Sequence, residues 1–546
     1  MPGISGKCRR PDLSLKLILF EDEHLLVVNK PAGWNTHAPG PFAGEGVYDW
    51  LKHREPRWAT LAIIHRLDKE TSGVLVFGKT AQGNRSLAEQ FAARSVRKKY
   101  LLLTDRNLTQ KNLTIASTIV RAGEKYVSRP LHDGGDRAET RFSILSTGAG
   151  RTLAEAVPVT GRTHQIRVHA ASLGFPILGD RLYGGTPAVR VFLHASELAL
   201  LHPVTKEQLK FRAPDAWDAD ARIGVRSELR EAIIDSEVTD SFRIIHGASD
   251  DWPGLYVDKL GHWLIAQSEE ELNTAQKTEL ERLACLLNSV GVYHKTLNQN
   301  VRRTGMEASS PRLVSGQAAP ARFTVRENGL TFELSFNEGY SVGLFLDQRD
   351  NRRRWGVNQV ASDFPLWTNR PSGAEVLNVF AYTCGFSIAA AKAGALTTSL
   401  DLSKKYLEWG QRNFALNELD PIRHDFLCGD AFDWMRRLAK KGRTFDTILL
   451  DPPTFSRSKE SGVWQAERHY GKLVAAALPL LQANGILFAS TNAAKLAPEE
   501  FLANIGEAVK EQRRTILRQH YVPQPPDFPI SRSESAYLKT VWLRIA

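Results

Sequence analysis

A carboxylate near residue 70 is the first side chain in this sequence whose position could support chemistry. Asp68 follows a short apolar lead-in and precedes a Thr-Ser-Gly turn and an apolar run that predicts a strand. The carboxylate is therefore expected on a connecting loop, where catalytic groups commonly lie. Taken alone, Asp68 fits a salt-bridged surface loop better, because Arg66, Lys69 and Glu70 flank it.

A second polar cluster lies between residues 161 and 174, where a short helix is predicted. Thr163 can cap its start and Gly174 can end it. The apolar stripe of the helix falls on Ile166, Ala170 and Leu173. The polar side chains of the segment are Arg162, His164, Gln165, Arg167 and His169. They exceed what packing requires, so we expect a polyanion or a buried carboxylate beside them.

Strands and helices of the first segment must position these side chains. A strand is predicted from Leu19 and closed by a Pro-Ala-Gly turn, and a helix is predicted from Ala81 to Ala93. A further strand opens at Tyr100, whose hydroxyl needs a polar neighbour. Taken alone, Tyr100 is best explained as a half-buried strand residue.

The motifs of the first segment occur in a recognisable order. They are His65-Arg66-Leu67-Asp68-x-x-Thr71-Ser72-Gly73, Lys99-Tyr100, Gly161-Arg162-Thr163-His164-Gln165-Ile166-Arg167-x-His169 and Gly179-Asp180-x-x-Tyr183-Gly184. In order and spacing this set resembles the RluA family of pseudouridine synthases over almost the whole segment. Members usually carry a small basic RNA-binding domain ahead of the first strand, whereas only a short leader precedes Phe20 here. Target selection is therefore expected to depend on another part of the chain.

The resemblance implies isomerisation of uridine to pseudouridine, in which the glycosidic bond breaks, the base turns and a bond to carbon forms. It implies Asp68 as the nucleophile, with Arg167 paired to it and keeping it ionised. It further implies that Tyr100 stacks on the flipped uracil beside His164, and that Arg66 fills the gap left in the RNA. This reaction requires no metal and no organic cofactor.

In the last third of the chain, apolar runs alternate with helical stretches. The runs that predict strands are Val376–Phe380, Leu396–Leu400, His424–Cys428, Thr447–Leu450 and Gly485–Ala489. This alternation predicts a doubly wound parallel sheet. Ligands bind beyond the carboxyl ends of the strands in such sheets, so the residues directly after each run are candidates for a site.

Acidic side chains follow three of these runs. Asp401 follows the second, where a carboxylate can accept both hydroxyls of a ribose, and Asp430 follows the third, facing an adenine amine. Asp451 follows the fourth run in an Asp-Pro-Pro sequence. The turn after the first run, Ala381 to Ser387, lacks both the GxGxxG and the phosphate-loop signatures. Any one of the acids could be a helix N-cap, but suitable groups at four strand ends make this improbable for the set.

This series resembles class I S-adenosylmethionine-dependent methyltransferases over the whole third segment. The stretch Gly339-Tyr340-x-x-Gly343-Leu344-Phe345-Leu346-Asp347-Gln348-Arg349-Asp350-Asn351-Arg352 is similar to the large-subunit ribosomal RNA methyltransferases of the RlmI and RlmK type. The resemblance implies S-adenosyl-L-methionine as cofactor and structured RNA, in particular large-subunit ribosomal RNA, as partner. The implied cofactor contacts are Gln348, Arg349, Asn378, Phe380, Tyr382, Gly385, Asp401, Asp430 and Asp451. Cys384 stands where the family usually has glycine, which bears on cofactor affinity and not on the fold.

The methylated atom can be narrowed from the residues at two strand ends. Methylation at pyrimidine carbon 5 needs a cysteine nucleophile there, and the sequence has Thr454-Phe455-Ser456 and Ser490-Thr491-Asn492 instead. A nitrogen target needs only positioning, with Asp451 and the backbone of Pro452 and Pro453 holding the base and Phe455 stacking on it. The stretch from Asp451 to Lys459 is most similar to the guanine-N7 branch. Guanine N2 stays open, because Asp-Pro-Pro also serves exocyclic amines.

The sequence predicts three domains in a multidomain protein of the α+β and α/β classes. Residues 1–218 are expected to form the RluA-like mixed-sheet domain, 225–335 a small α+β positioning domain, and 336–546 a Rossmann-like class I methyltransferase domain. The linker is placed between Phe211 and Asp220, where apolar periodicity is lost. In the middle domain we expect a hairpin, a helix stopped by Gly291, and a loop from Val301 to Pro320 whose arginines could touch phosphate.

Length, charge and composition agree with a large RNA-binding protein. A chain of 546 residues is too long for one core, and Lys and Arg outnumber Asp and Glu by 71 to 60, which favours a polyanionic partner. The four cysteines form no CxxC pair, so neither a disulfide framework nor a metal site is indicated. No stretch approaches the roughly 18 apolar residues that a membrane span needs. A cytoplasmic location without a membrane partner is expected.

The function predicted from these motifs is that of a bifunctional RNA-modifying enzyme. One alternative is an RNA-binding ribosome-assembly factor with one or both active sites silent. Five intact side chains argue against silence: Asp68, Tyr100, Arg167, Asp401 and Asp451. A DNA methyltransferase with a helper domain is disfavoured, because the first segment has no reason to act on DNA. The sequence leaves the oligomeric state open.

Overall fold

The computed structural model describes residues 16–132, 136–214, 217, 221–297, 310–338, 341–367, 373–458 and 462–546. The chain divides into two compact units, the first made of Met1–Trp34 and Ile63–Glu237 and the second of Asn35–Ala62 and Val238–Ala546. The segment Asn35–Ala62 therefore interrupts the first unit in sequence and belongs to the second. The unit boundary after Glu237 lies beyond the predicted linker, part of which falls outside the described residues.

The first half of the chain contains strands of a mixed sheet and a few helices. In chain order, its elements are β1 (Ile18–Glu21), β2 (Leu25–Lys30), α1 (Val47–Arg54), β3 (Ala62–Ile63), β4 (Ser72–Gly78), α2 (Ala81–Ala92), β5 (Arg97–Thr104), β6 (Asn112–Ala122), β7 (Lys125–Arg129), β8 (Asp136–Gly148), β9 (Arg151–Pro158), α3 (Gln165–Ser172), β10 (Leu193–Leu201), β11 (Gln208–Arg212) and α4 (Ala221–Ile233). Short 3-10 helices cover Pro56–Trp58 and Arg181–Tyr183.

The sheet of the first unit has the order β1-β2-β4-β10-β5-β9-β8-β6-β7, with β11 paired to β10. Strand β4 is buried along its whole length. It lies between β2, which runs antiparallel to it, and β10, which runs parallel to it. A Cβ at Gly73 would lie 2.2 Å from the carbonyl oxygen of Ala195 on β10, and Gly73 has a φ of +113°. The glycine of the Thr-Ser-Gly turn is therefore required by close strand approach and by its backbone conformation.

Most predicted elements of the first segment are confirmed, with three differences. The strand expected from Leu19 is a hairpin, because the Asp22 carboxylate accepts hydrogen bonds from the amides of His24 and Leu25 and turns the chain. Helix α3 begins at Gln165 with left-handed His164 before it, so the prediction of a Thr163 cap was wrong. Helix α4 had not been predicted, since its start adjoins the linker.

The second half of the chain alternates strands and helices. Its elements are β12 (Ser241–His246), β13 (Leu255–Leu260), β14 (Trp263–Ser268), α5 (Thr274–Leu286), β15 (Gly291–Thr296), β16 (Arg312–Gly316), β17 (Phe323–Glu327), β18 (Leu330–Leu334), α6 (Arg349–Val357), β19 (Gln359–Ala361), β20 (Phe364–Pro365), β21 (Glu375–Val379), α7 (Gly385–Lys392), β22 (Leu396–Asp401), α8 (Lys404–Leu416), β23 (Asp425–Cys428), α9 (Ala431–Lys440), β24 (Phe445–Leu450), β25 (Phe455–Ser458), β26 (Gly462–Gln465), α10 (Ala466–Ala477), β27 (Leu481–Thr491), α11 (Pro498–Glu511), β28 (Ile516–Val522) and β29 (Lys539–Ile545). Short 3-10 helices cover Gly247–Asp250, Leu346–Gln348, Pro421–Arg423 and Leu478–Leu480.

The large sheet of the second unit confirms the predicted doubly wound architecture. Its order is β23-β22-β21-β24-β27-β29-β28, and the five predicted strands are parallel. At one edge, β29 pairs antiparallel with β27, and β28 pairs antiparallel with β29. The order reverses at β21, so the carboxyl ends of β21, β22 and β24 open on one crevice.

The middle segment forms a separate sheet but shares a core with the large one. Strands β12 to β16 pair in sequence order, and Leu260 and Ile265 belong to the same hydrophobic cluster as Val376 and Ile486. This shared core explains why residues 238–546 form one unit. Gly291 starts β15 and does not stop α5, which ends at Leu286 because the chain turns before the parallel partner strand.

Some predicted features fall outside the described residues. They are the leader with Cys8, the first part of the Val301–Pro320 loop, Gly339, Tyr340 and Lys459. Within the part of the chain that the structure describes, no helix combines the length and apolarity needed to cross a membrane.

Candidate active sites

The loop that carries Asp68 is held from below by a buried lysine. The Nζ of Lys30 donates to the carbonyl oxygens of Pro31, Trp34 and Lys69 at 2.9, 2.7 and 3.1 Å. The amide of Gly33 also donates to the Lys69 carbonyl. Burial lowers the pKa of Lys30 to about 7. These bonds fix the backbone next to Asp68, as preorganisation of a reactive group requires.

Asp68 lies close to the two basic side chains that the motifs bring from helix α3. Its Oδ2 is 3.7 Å from Nη1 of Arg167 and 3.9 Å from Nε2 of His164. The Asp68 side chain is 27% exposed and that of Arg167 only 5%, so the carboxylate faces an opening while the guanidinium lies beneath it. His164 adopts a left-handed φ of +56° just before α3, a strained conformation of the kind found at functional sites.

Arg167 has a stronger partner that the sequence interpretation missed. Its Nε and Nη2 donate to the two carboxylate oxygens of Asp180 at 2.7 and 2.8 Å, and the Asp180 side chain is 1% exposed. Arg167 thus lies between two carboxylates, with the expected partner Asp68 on its outer side and Asp180 on its buried side. The motif Gly179-Asp180-x-x-Tyr183 was the available signal, because Tyr183 also contacts the site by accepting or donating a hydrogen bond with His164 Nδ1 at 2.7 Å.

Two other polar residues of helix α3 have structural partners. His169 is fully buried between the hydroxyls of Thr140 and Ser117, at 2.8 and 3.0 Å. Gln165 is hydrogen-bonded to Thr160 and to the backbone of Glu139. The excess of donors predicted a polyanion or a buried carboxylate, and Asp180 is such a carboxylate. Strands β6 and β8 provide partners for His169 and Gln165.

Tyr100 and Arg66 differ in their exposure to solvent. Tyr100 is half-buried on β5, and both burial and the negative charge of Asp68 raise its pKa, which brings the phenol within electrostatic reach of the carboxylate. Arg66 is exposed two residues before Asp68. Tyr100 can therefore offer a ring at the floor of the opening, and Arg66 a charged side chain at its edge.

The second site is a cavity of about 360 Å³ at the carboxyl ends of the parallel strands. The predicted cofactor residues at its wall are Gln348, Asn378, Phe380, Tyr382, Gly385, Asp401, Asp430 and Asp451, joined by Pro452 and Pro453. The backbone from β21 into α7 is unusual, since Phe380, Tyr382 and Cys384 all have positive φ. This alternation folds the backbone into a tight turn, in which the amides of Ala381 and Tyr382 donate to Leu400 and Asp401 of the neighbouring strand β22.

Two acids at this cavity are oriented by backbone amides. The carboxylate of Asp401 accepts hydrogen bonds from the amides of Tyr382 and Ser403, both at 2.8 Å. Asp430 caps helix α9 through the amides of Phe432 and Asp433 at 3.0 and 3.2 Å. Asp430 is therefore a helix N-cap, which was the alternative interpretation of these acids, and it also lines the cavity.

Asp451 is held by polar side chains at the cavity, including Gln348 and Ser490. Nε2 of Gln348 donates to Oδ2 of Asp451 at 3.2 Å and to Oγ of Ser490 at 2.8 Å. Burial raises the pKa of Asp451 to about 6, with hydrogen bonds from Ser490 and Gln348 opposing the shift. Asp451 thus titrates within the range where an enzyme operates.

Arg349 requires a correction. Its guanidinium makes a bidentate pair with Asp527 at 2.8 and 2.6 Å, both side chains are buried, and Arg349 does not line the cavity. Arg349 comes after the 3-10 helix Leu346–Gln348, at the first residue of α6, so its side chain points away from Gln348. Of the two residues predicted to contact the cofactor, Gln348 lines the cavity and Arg349 forms a structural pair with Asp527.

The strands after Asp-Pro-Pro form a hairpin at the mouth of the cavity. Phe455 on β25 is 39% exposed and does not line the cavity, whereas Trp464 on the paired strand β26 does. The indole of Trp464 donates to the carbonyl of Pro453 at 2.8 Å. No motif signalled Trp464. Cys384 is buried with its side chain beside Gly410 and away from the cavity lining.

The residues at the cavity fit S-adenosyl-L-methionine. An oriented carboxylate at the end of β22 suits a ribose, and the rings of Phe345 and Tyr382, 5.3 Å apart, border the same wall. The volume lies in the range of small-molecule sites. The fold and the site together define a class I methyltransferase, and the first unit adds a carboxylate site of the pseudouridine synthase kind.

Family comparisons agree with both assignments. A model of RNA pseudouridylate synthases matches residues 24–172, and a model of S-adenosylmethionine-dependent methyltransferases matches residues 243–544, more than half of the chain. The chain belongs to the S-adenosylmethionine-dependent methyltransferases and carries an RNA pseudouridylate synthase ahead of that domain. It is an enzyme with both activities and uses S-adenosyl-L-methionine.

Individual relatives resemble one half of the chain or the other. A ribosomal RNA large subunit methyltransferase of Deinococcus radiodurans is 33% identical over 360 residues, which are 64% of this chain and 83% of the relative. Ribosomal large subunit pseudouridine synthase C of Yersinia pestis is 40% identical over 225 residues, 39% of this chain and 69% of the relative. The crystal structure of SMU.776, a methyltransferase complexed with SAH, superposes with a TM-score of 0.51 at 26% identity, covering 69% and 98%.

Proposed function

We propose that this enzyme modifies large-subunit ribosomal RNA in the cytoplasm at two nucleotides, forming a pseudouridine with its first unit and a 7-methylguanine with its second. The relatives of both halves of the chain are named for the large ribosomal subunit, which supports large-subunit RNA as the substrate of both reactions. The observation that carries the base assignment is chemical. Of the three described cysteines, Cys285 and Cys428 are exposed, Cys384 is buried, and none lines the cavity. Among the described residues, a pyrimidine carbon therefore has no thiol nucleophile to activate it.

In the first unit, Asp68 is the proposed nucleophile towards the flipped uridine. Arg167 presents a positive charge 3.7 Å from the carboxylate, and Asp180 in turn holds Arg167. Tyr100 supports the uracil ring, His164 lies at its edge, and Arg66 occupies the gap in the RNA. The glycosidic bond between the ribose carbon and the uracil nitrogen breaks, and the ribose carbon then bonds to a uracil carbon. That uracil carbon loses a proton and the freed nitrogen gains one, so no atom is gained or lost.

In the second unit, the residues position a purine edge against the bound cofactor, which supplies an electrophilic methyl group. Asp451 and the backbone of Pro452 and Pro453 hold the guanine, and Phe455, exposed at the hairpin, stacks on it. Guanine N7 carries a lone pair and needs no proton removed, so positioning suffices. Guanine N2 would need a proton acceptor, for which Asp451 is the candidate.

The test uses ribosomal RNA from a strain that lacks the protein, rescued with wild type, Asp68→Asn or Asp451→Ala. Asp68→Asn should lose only the pseudouridine and Asp451→Ala only the methyl mark, both read by nucleoside mass spectrometry and primer extension. Borohydride and aniline cleave the RNA chain at 7-methylguanine and spare N2-methylguanine. Glu207→Gln, at an exposed position of the first unit, and Asp433→Asn, at a half-buried position of the second unit outside the cavity lining, serve as controls. A strain that loses neither mark would instead support an assembly factor.

A further inference from the structure

Outside both active sites, the second unit brings together three side chains that are remote in sequence. Glu45 lies just before helix α1, His53 lies on that helix, and His520 lies on strand β28. One ligand atom from each of the three lies within 4.8 Å of the others. All three residues are half-buried, and none of them lines the methyltransferase cavity.

The pair contacts show how these side chains face each other. Oε1 of Glu45 lies 2.8 Å from Nδ1 of His53, and the rings of His53 and His520 meet edge to face with centroids 4.5 Å apart. The Nε2 atom of His520 is buried and has no hydrogen-bond partner among the described residues. A buried ring nitrogen without a partner costs free energy, so this position calls for a ligand.

We propose that Glu45, His53 and His520 form a binding site for a transition-metal ion of the Zn²⁺ type. Two imidazoles and one carboxylate are a known zinc ligand set, and imidazole excludes Ca²⁺ and Mg²⁺, which prefer oxygen ligands. Zinc bonds of this kind place ligand atoms about 3.3 Å apart, so the three side chains need only a small contraction. The remaining position is left for water.

Binding replaces a proton with the metal ion. The ion takes the place of the hydrogen between Glu45 and His53, and the His53 ring then carries its hydrogen on the other ring nitrogen, so both imidazoles coordinate as neutral rings and the carboxylate keeps its charge. The guanidinium of Arg354 acts electrostatically on Glu45 and His520 and opposes the ion. Arg354 is itself bound to the carbonyl oxygens of Val360 and Asp350, at 3.0 and 2.8 Å, which fixes its position.

The site would join the segment Asn35–Ala62 to strand β28 within the second unit. His53 and His520 are separated by most of the chain, so a metal bridge between them closes a very long loop. Cross-links that close long loops can stabilise a protein by restricting the unfolded chain. The bound ion is therefore expected to stabilise the fold of this unit, independently of either reaction.

The test is titration of the metal-free full-length protein with Zn²⁺ by calorimetry and with Co²⁺ by visible absorption. We expect one equivalent bound, a four-coordinate Co²⁺ spectrum, and a higher melting temperature with Zn²⁺. Glu45→Gln should weaken binding at least tenfold, and His520→Ala should abolish it. His262→Ala, at an exposed turn, is the matched control and should bind like wild type.

Two results would overturn the proposal. One is a wild-type protein that binds no ion, which would leave Glu45 and His53 as a hydrogen-bonded pair only. The other is equal binding by wild type, Glu45→Gln and His53→Asn, which would place the ion elsewhere. If His520→Ala does not fold, as judged by circular dichroism, the Glu45→Gln and His53→Asn titrations decide, because both substitutions keep a polar side chain at the position.

Discussion

Arg167 and Asp180 form a buried bidentate ion pair, with Nε and Nη2 of Arg167 at 2.7 and 2.8 Å from the two carboxylate oxygens of Asp180. The third nitrogen of the same guanidinium lies 3.7 Å from Asp68. A single arginine therefore connects the candidate nucleophile to a carboxylate that never reaches the solvent. Because the inner pair fixes the guanidinium, it also fixes the charge that Asp68 meets.

Asp180→Asn should destabilise the protein and reduce pseudouridine formation. Removing one partner of a buried pair costs about 3–5 kcal/mol, because Arg167 is left as an uncompensated buried charge. Urea unfolding and tritium release from labelled uridine RNA measure the two effects. Glu155→Gln, which removes a partner of the 42% exposed Lys99, should cost under about 1 kcal/mol. Equal stabilities for the two variants would contradict the assignment.

Asp451 should give the methyl transfer a pH dependence centred near its pKa of about 6. The Asp451 carboxylate must be ionised to hold the substrate nucleobase. We therefore expect kcat/KM to rise about tenfold per pH unit below 6 and to level off above 7. The raised pKa also means that the folded state binds more protons between about pH 4 and 6, so stability falls as pH rises through that window. Asp451→Asn should remove the inflection, and its persistence would exclude this role.

Asp401→Asn should weaken the binding of S-adenosyl-L-methionine. The amide nitrogen of asparagine would face one of the two backbone amides that now donate to the carboxylate, and the charged acceptor for the ribose is lost. We expect a dissociation constant about 10 to 100 times higher by calorimetry, since each lost charged hydrogen bond is worth roughly 1.5–3 kcal/mol. Asp433→Asn on helix α9 should bind like wild type. Unchanged binding by Asp401→Asn would contradict the cofactor orientation.

Arg349 should contribute to stability through Asp527 and not through the cofactor. Arg349→Met should cost about 3–5 kcal/mol in urea unfolding, while the double variant with Asp527→Leu should recover part of that loss. The melting-temperature increase caused by S-adenosyl-L-methionine should persist in the double variant. If Arg349→Met is stable but has lost this increase in melting temperature, the result would support the direct cofactor contact predicted from the sequence.

The sequence alone determined the features that depend on local pattern. The alternation of apolar runs predicted the parallel strands, because hydrophobic periodicity reports which segments are buried. Asp68, Asp401 and Asp451 were placed at loops and strand ends, and the structure has them there. The motifs also identified both families, since catalytic groups occur in short stretches whose spacing is visible without a fold.

Only the tertiary structure decided which side chains become partners. Arg167 was expected to meet Asp68 alone, but the packing of α3 against the chain before β10 supplies Asp180 as well. Arg349 follows Gln348 directly, and yet one lies at the cavity and the other binds Asp527, because a helix turns consecutive side chains by about 100°. His520 and His53 are remote in sequence, and no local pattern could bring them together. Residue type and spacing determine which chemistry is available, whereas long-range packing determines which side chains come into contact.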